Sequence, residues 1–229
     1  MFVKICGITT EKDALLAIAL GADALGFVFA PGSPRTVTVD EATDIVKHLP
    51  YDEVLTVGVF RDERPERVAE IVNRVGLKAA QLHGREPPGE VAWVRERVRR
   101  VIQGFAAGDP ALMMASDGPA DVILVDAPNP GSGRVFDWVQ IDGALDDVRL
   151  LLAGGLTPDN VTEAIWRVRP WGVDVSTGVE TAPGSGRKDP RKLRRFIQAA
   201  RAASTALEHR GSPNGGIGHQ PYDWQAEGA

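Results

Sequence analysis

The 229-residue chain has a single cysteine, Cys6, and only four histidines. One thiol excludes an internal disulfide and any metal site built from several cysteines. His48, His83, His209 and His219 are scattered, with no H-x-x-x-H pair and no carboxylates grouped at ligand spacing, so no metal centre is expected. Long apolar runs are missing too. No stretch approaches the length that crosses a bilayer, and Lys4, Glu11, Lys12 and Asp13 interrupt what a signal peptide would need as its apolar core. Positive charge is not in excess: 26 Lys and Arg against 31 Asp and Glu give a net charge of -5. That balance argues against a broad surface for nucleic acid or an anionic membrane. The expectation is a cytoplasmic protein without nucleic-acid or membrane partners, in which any anionic ligand is held by local features.

What is present is an alternation. With 43% hydrophobic residues the chain can bury one sizeable core, and short apolar runs alternate with helical patterns eight times. The runs are "FVKIC", "ALGFVFA", "VLTVGVF", "KAAQLHG", "RVIQGFA", "DVILVDAP", "RLLLAGG" and "WGVDVSTG". Thr10 reads as the cap of the first helix, with Leu15, Ile18 and Ala19 on one face, and a second helix begins near Asp40. A third starts at Pro65, carries Val68, Ile71, Val72 and Val75 at i, i+3, i+4, i+7, and closes at Gly76. Thr157 and Pro158 read as cap and first residue of a helix bearing Val161, Ala164, Ile165 and Val168, and the last helix runs from about Pro190 to Leu207. Strands alternating with helices pair in parallel, and eight such units close into a single α/β (β/α)8 TIM barrel over residues 1–207. A doubly wound open sheet is the alternative, but it would normally carry a phosphate fingerprint after its first strand, and "CGITT" is no G-x-G-x-x-G. Residues 208–229, rich in Gly, Pro and polar side chains, read as a poorly ordered tail, with Tyr222 and Trp224 as its only groups suited to packing back.

In a (β/α)8 barrel the chemistry collects at the C-terminal ends of the strands. Cys6 closes the first, His83 the fourth and Asp126 the sixth. Strand alternation puts Lys4 on the inner face with Cys6, and Val3 and Ile5 toward the helices. A cation below the thiol and a strand-end setting favour thiolate, the form that removes a proton. Plainer roles exist for each: Cys6 as a small buried hydrophobe, Asp126 as a turn former, His83 as a hydrogen-bonded wall. "AGGLTPDN" and "DVSTGVE" follow strands seven and eight, where barrels bind phosphate through backbone N–H groups. Gly154 and Gly155 would let the backbone approach the oxygens, and Ser176 or Thr177 would add a hydroxyl donor.

Taken in order, "KICGIT", "GADALGFVFAPGSPR", "VGVF", "QLHG", "GSGRVFDW", "LLAGGLTPDNV" and "VDVSTGVE" resemble the phosphoribosylanthranilate isomerase family of tryptophan biosynthesis, over about Val3 to Glu180. The departures are small: "STG" stands where "SSG" is common, and Arg134 where a lysine often stands. The resemblance implies a barrel that isomerises N-(5-phosphoribosyl)anthranilate to the 1-deoxyribulose 5-phosphate by an Amadori rearrangement, without a cofactor, as a monomer or homodimer whose partner is its small-molecule substrate. It implies Cys6 as general base, Asp126 as general acid and Arg35 as the holder of the anthranilate carboxylate. Gly154, Gly155, Ser176, Thr177 and Gly178 would hold phosphate; His83 and Asp174 would contact substrate or serve the barrel structurally. Two other readings compete. The related isomerase of histidine biosynthesis should end strand one in a carboxylate, where this chain has Cys6. A barrel that only binds phosphosugars would have no need of Cys6, Asp126 and Arg35 together.

Overall fold

The computed structural model describes residues 1–127 and 148–209. Eight parallel strands close into a barrel in chain order: β1 (Phe2–Cys6), β2 (Ala24–Val28), β3 (Leu55–Phe60), β4 (Ala79–Leu82), β5 (Val101–Ala106), β6 (Val122–Asp126), β7 (Leu150–Leu152) and β8 (Gly172–Val175). Around them lie α1 (Glu11–Ala19), α2 (Val39–Val46), α3 (Pro65–Val75), α4 (Pro88–Arg95), α5 (Val161–Val168) and α6 (Pro190–His209). This is the (β/α)8 arrangement that the alternation predicts. Residues 128–147, with "GSGRVFDW" and Arg134, and the expected tail from residue 210 on lie outside the described residues.

Strand alternation divides the apolar side chains between two cores. Val3, Ile5, Leu25, Phe27, Ile123, Val125 and Leu152 point outward into the layer between barrel and helices. Phe2, Leu55, Val57, Ile102, Val122, Leu124 and Leu151 point inward and fill the lower part of the barrel. Phe2 also stacks on Trp171 at 4.4 Å between ring centroids, where β8 begins. Each such side chain contributes about 1.5–3 kcal/mol on burial.

The helices follow their local signals with three exceptions. Thr38 and Glu41 form a reciprocal capping box at α2. On α3, Pro65 stands at the first turn, Val68, Ile71, Val72 and Val75 are all buried, and Gly76 ends the helix at φ 76°. On α1, Thr10 caps as expected, accepting from the Asp13 N–H at 3.2 Å, but Leu15 is exposed and the buried residues are Asp13, Ala14 and Ala17. The reason is polar: Asp13 turns inward to accept from the Lys188 N–H at 3.1 Å, and its neighbours at the same azimuth go with it. At α5 the cap is Asn160, not Thr157. The Thr157 N–H donates to Asn160 Oδ1 at 2.7 Å, which holds residues 157–160 in a turn and delays the helix to Val161. Between β5 and β6 stands a 3₁₀ segment, Pro110–Asp117, instead of an α-helix. It buries only Leu112 and Ala115 and leaves Met113 and Met114 in solvent, too narrow a stripe to hold a full helix against the sheet. The barrel seam is tied by α6, where Arg201 Nη2 donates to Gly21 O at 2.9 Å and Asp23 Oδ2 at 2.7 Å.

Candidate active site

At the C-terminal mouth a cavity of about 400 Å³ is lined by Asp126 of β6, Gly154 and Gly155 after β7, Asp174 of β8, and Ser176, Thr177 and Gly178 beyond it. Seven of the residues predicted from sequence therefore share one cavity. Cys6, Arg35 and His83 join it through direct partners: Cys6 through Lys4 and Asp174, Arg35 through Thr177, and His83 through Asp126.

Cys6 is 9% exposed at the end of β1. A methyl group on Gly26 of the neighbouring strand would lie 2.9 Å from its Sγ and 3.2 Å from Lys4 Nζ, so thiol and ammonium face the same bare patch. Lys4 is fully buried, and the register that sets it beside Asp174 brings Nζ to Asp174 Oδ1 at 3.0 Å. Burial pushes the Cys6 thiol up; Lys4 and Lys188 oppose this and Asp174 adds to it, leaving the thiol above its ordinary value. Lys4 pulls in the expected direction, but its charge is shared with Asp174 and burial outweighs it. For Lys4 itself burial pulls the ammonium down, and Asp174 with Cys6 more than compensates, so it stays protonated.

Asp126 Oδ1 accepts from its neighbour's N–H, Ala127, at 2.7 Å, and Oδ2 lies 3.5 Å from His83 Nε2. Gln81 Nε2 meets His83 Nδ1 at 2.8 Å. Which of the two donates depends on the imidazole tautomer, and His83 Nε2, though near the carboxylate, makes no hydrogen bond among the described residues. His83 therefore stands beside Asp126 at the mouth, close to the carboxylate.

Across the cavity, Gly154 and Gly155 adopt φ of 85° and 66°. Asn160 Nδ2 donates to Gly155 O at 3.0 Å and braces this turn. A methyl on Gly178 would lie 1.9 Å from Leu156 O, so only glycine lets the two loops come together here. Lys192 and Arg195 of α6 line the same cavity and bring cations that the motifs do not advertise.

Arg35 reaches the mouth by lying across the chain just after the cysteine. A methyl on Gly7, whose φ is 72°, would be 2.4 Å from Arg35 Cδ. Its guanidinium meets not open solvent but Glu180, with Nε to Oε1 at 2.5 Å and Nη2 to Oε2 at 3.1 Å, and Nη2 also donates to Thr177 Oγ1 at 2.8 Å. Glu180, Lys188 and Gln81 are the residues that sequence reasoning assigned no role. Glu180 lies inside the "VDVSTGVE" motif and Gln81 inside "QLHG", but a motif gives no partner. Lys188 carries no local signal at all, since its neighbours in space come from β1, β8 and the loop after β2.

The chain matches the family model for N-(5'-phosphoribosyl)anthranilate (PRA) isomerase over residues 3–199. It is 50% identical over 208 residues to the N-(5'-phosphoribosyl)anthranilate isomerase of Desulforudis audaxviator (strain MP104C), covering 88% of this chain and 98% of that protein. The crystal structure of phosphoribosyl anthranilate isomerase from Thermus thermophilus superposes with a TM-score of 0.81 at 42% identity, covering 90% of this chain and 100% of that one. A phosphoribosyl anthranilate isomerase in complex with reduced 1-(o-carboxyphenylamino)-1-deoxyribulose 5-phosphate gives a TM-score of 0.79 at 40% identity, covering 88% and 99%.

Proposed function

The chain belongs to the N-(5'-phosphoribosyl)anthranilate isomerase family and isomerises phosphoribosylanthranilate in tryptophan biosynthesis; from that premise we propose that Cys6 is its general base and Asp126 its general acid. The observation that supports this reading is that both groups end strands at the C-terminal mouth: Asp126 closes β6 in the wall of the cavity that the glycine loops share, and Cys6 closes β1 above Lys4, whose partner Asp174 lines that cavity.

The chemistry divides between them. Asp126 delivers a proton to the furanose ring oxygen while the anilino nitrogen's electrons expel it, which opens the ring to an iminium ion. That cation acidifies the C2 hydrogen, which Cys6 removes as thiolate. The resulting enolamine gains a proton at C1 and loses one from the C2 hydroxyl to give the ketose. Hydrogen moves within one molecule, so the step draws on no redox partner. His83 stands beside Asp126, with Nε2 3.5 Å from Oδ2, and Asp174 holds Lys4 beneath the thiol. Gly154, Gly155, Ser176, Thr177 and Gly178 cradle the phosphate, and Arg35 receives the anthranilate carboxylate, which suits a guanidinium. The cytoplasm is the compartment assigned, supported by a lone cysteine that needs a reduced state.

Purified protein should consume the fluorescent substrate, with Asp126→Asn as the background. Depleting the chain from a cell that depends on it should leave growth restored by tryptophan alone. A rate equal to that background, or a growth defect that tryptophan does not cure, would refute the assignment.

A further inference from the structure

Buried charges are expensive to desolvate, and a buried ion pair is weak evidence for stability because well-packed apolar residues often do as well. Three such charges sit together beside the active-site mouth: Glu180 is 0% exposed, Lys188 3% and Arg35 7%. None of them takes part in the proton transfers. Glu180 is the hub. Besides Arg35 it accepts from the Gly184 N–H at 2.8 Å, and Lys188 Nζ lies 3.6 Å from its Oε1. Lys188 Nζ in turn donates to Ser176 O at 3.3 Å, and its backbone pairs with that of Glu180 in an antiparallel bridge. Burial pushes the Glu180 carboxyl up, but the bond from Arg35, the charge of Lys188 and the Gly184 N–H bring it below its ordinary value, so it is an anion at neutral pH.

A guanidinium has five N–H donors. Nε and both hydrogens of Nη2 are engaged, by Glu180 and Thr177, and among the described residues nothing bonds Nη1. The gripped edge fixes the plane of the fork, and the fixed plane aims Nη1. One carboxylate against two cations leaves a surplus of one positive charge, which matches a monoanion.

We propose that Glu180 is a positioning residue for the carboxylate end of the substrate: it holds the Nε–Nη2 edge of Arg35 so that Nη1 is offered to the anthranilate carboxylate, while Lys188 keeps this corner cationic. The inference rests on the assignment of Arg35 to that carboxylate. It explains why a fully buried acid stands beside an arginine meant for an anion. An unheld guanidinium would sample several rotamers and lose affinity in ordering one of them.

Kinetics with two competitive probes test it: anthranilate, which reports the carboxylate end, and inorganic phosphate, which reports the loops after β7 and β8. Glu180→Gln should raise KM and the anthranilate inhibition constant by about tenfold or more, with the phosphate constant within about threefold. In Arg35→Met the same substitution should have no added effect, because Glu180 acts only through Arg35. Glu180→Asp, which keeps the charge but shortens the reach, should show the same split more weakly and serves if Glu180→Gln does not fold. An unchanged KM in Glu180→Gln overturns the proposal. So does a parallel loss of phosphate affinity, which marks local collapse, or additivity with Arg35→Met. If Arg35→Met alone leaves KM and the anthranilate constant unchanged, the failure lies in the Arg35 assignment, and the inference falls with its premise.

Discussion

The two ends of the barrel are built from the same eight strands and hold opposite chemistry. The lower interior is apolar, from Phe2 and Leu55 to Leu124 and Leu151. Two residues further along β1, at Lys4 and its register partner Asp174, the interior turns ionic, and toward the mouth stand Cys6, Asp126 and the Arg35–Glu180–Lys188 cluster, all of them buried. The lower end needs shape alone, which many apolar side chains supply. The upper end holds charges that are costly to bury, which the proposed reaction accounts for and stability alone does not. Stability and catalysis should therefore separate along the barrel axis.

The largest expected effects fall at the mouth. Cys6→Ala and Asp126→Asn should each cut turnover by roughly 10²- to 10⁴-fold, as expected for losing a positioned base or acid, with thermal unfolding little changed. Cys6→Ser should be as poor, because a hydroxyl supplies almost no anionic base near neutral pH. Near-parental rates in any of the three would erase the distinction between the ends. The converse change is Leu124→Ala in the lower layer, where the side chain is fully buried. It should cost about 2–5 kcal/mol of stability, read by denaturant unfolding, while the folded fraction keeps its kcat. A large fall in kcat at constant stability would show that the lower end also serves the reaction.

A pH series sharpens the contrast. The base must be ionised and the acid protonated, so on the alkaline side the product of the two fractions falls once the thiol is ionised and further ionisation no longer offsets the loss of the acid's proton. Burial holds Cys6 above its ordinary value, so the alkaline fall in kcat/KM should begin above about pH 8.5, the unperturbed thiol value. A fall centred below that pH would contradict the resting thiol. Stability follows the same sign. Lys4 and Cys6 both have raised folded-state values, so what they contribute is present below their unfolded values and is lost as pH rises through the folded ones. Tm should decline on the alkaline side, beginning above about pH 8.5.

Much of this was legible in the sequence, for identifiable reasons. Strand order and the inward set of β1 follow from alternation, which is local, and the α3 face follows from a period within eleven residues. Cys6 and Asp126 could be singled out because each ends an apolar run, and the family resemblance supplied the roles of base and acid proposed for them. The rest is relational. That Lys4 spends its charge on Asp174 depends on β1 and β8 lying side by side in register, and that Glu180 faces Arg35 depends on two loops meeting across the barrel seam. The azimuth of α1 was misjudged because a polar contact from Asp13 to Lys188 decided it, where the apolar pattern pointed to Leu15. Thr157 looked like a cap because Thr-Pro is a good one, but Asn160 captures the Thr157 N–H and takes the role.

The smallest effect is expected where distance alone would suggest a large one. Arg195 and Asp159 form an ion pair at 2.6 Å in the wall of the mouth cavity, shorter than the 3.0 Å of Lys4 and Asp174. Yet their side chains are 63% and 77% exposed, against 0% and 9% for the buried pair. Water solvates both exposed partners when the bridge opens, salt screens them, and the entropy of holding two long side chains offsets most of the gain, so such pairs contribute about 0–1 kcal/mol. In the buried pair, removing one partner strands a charge away from water, at about 3–5 kcal/mol. Arg195→Gln should thus move Tm by less than about 4 °C, whereas Lys4→Met should lower it by roughly 6 °C or more. Because Arg195 also lines the mouth cavity in which phosphate is proposed to bind, its loss should weaken inorganic phosphate binding modestly at low ionic strength, and the difference should fade as salt approaches about 1 M and the Debye length shrinks to about 3 Å. A fall in Tm above about 4 °C for Arg195→Gln, or a phosphate effect that survives high salt, would show that this exposed pair behaves like the buried one and that exposure does not separate the two.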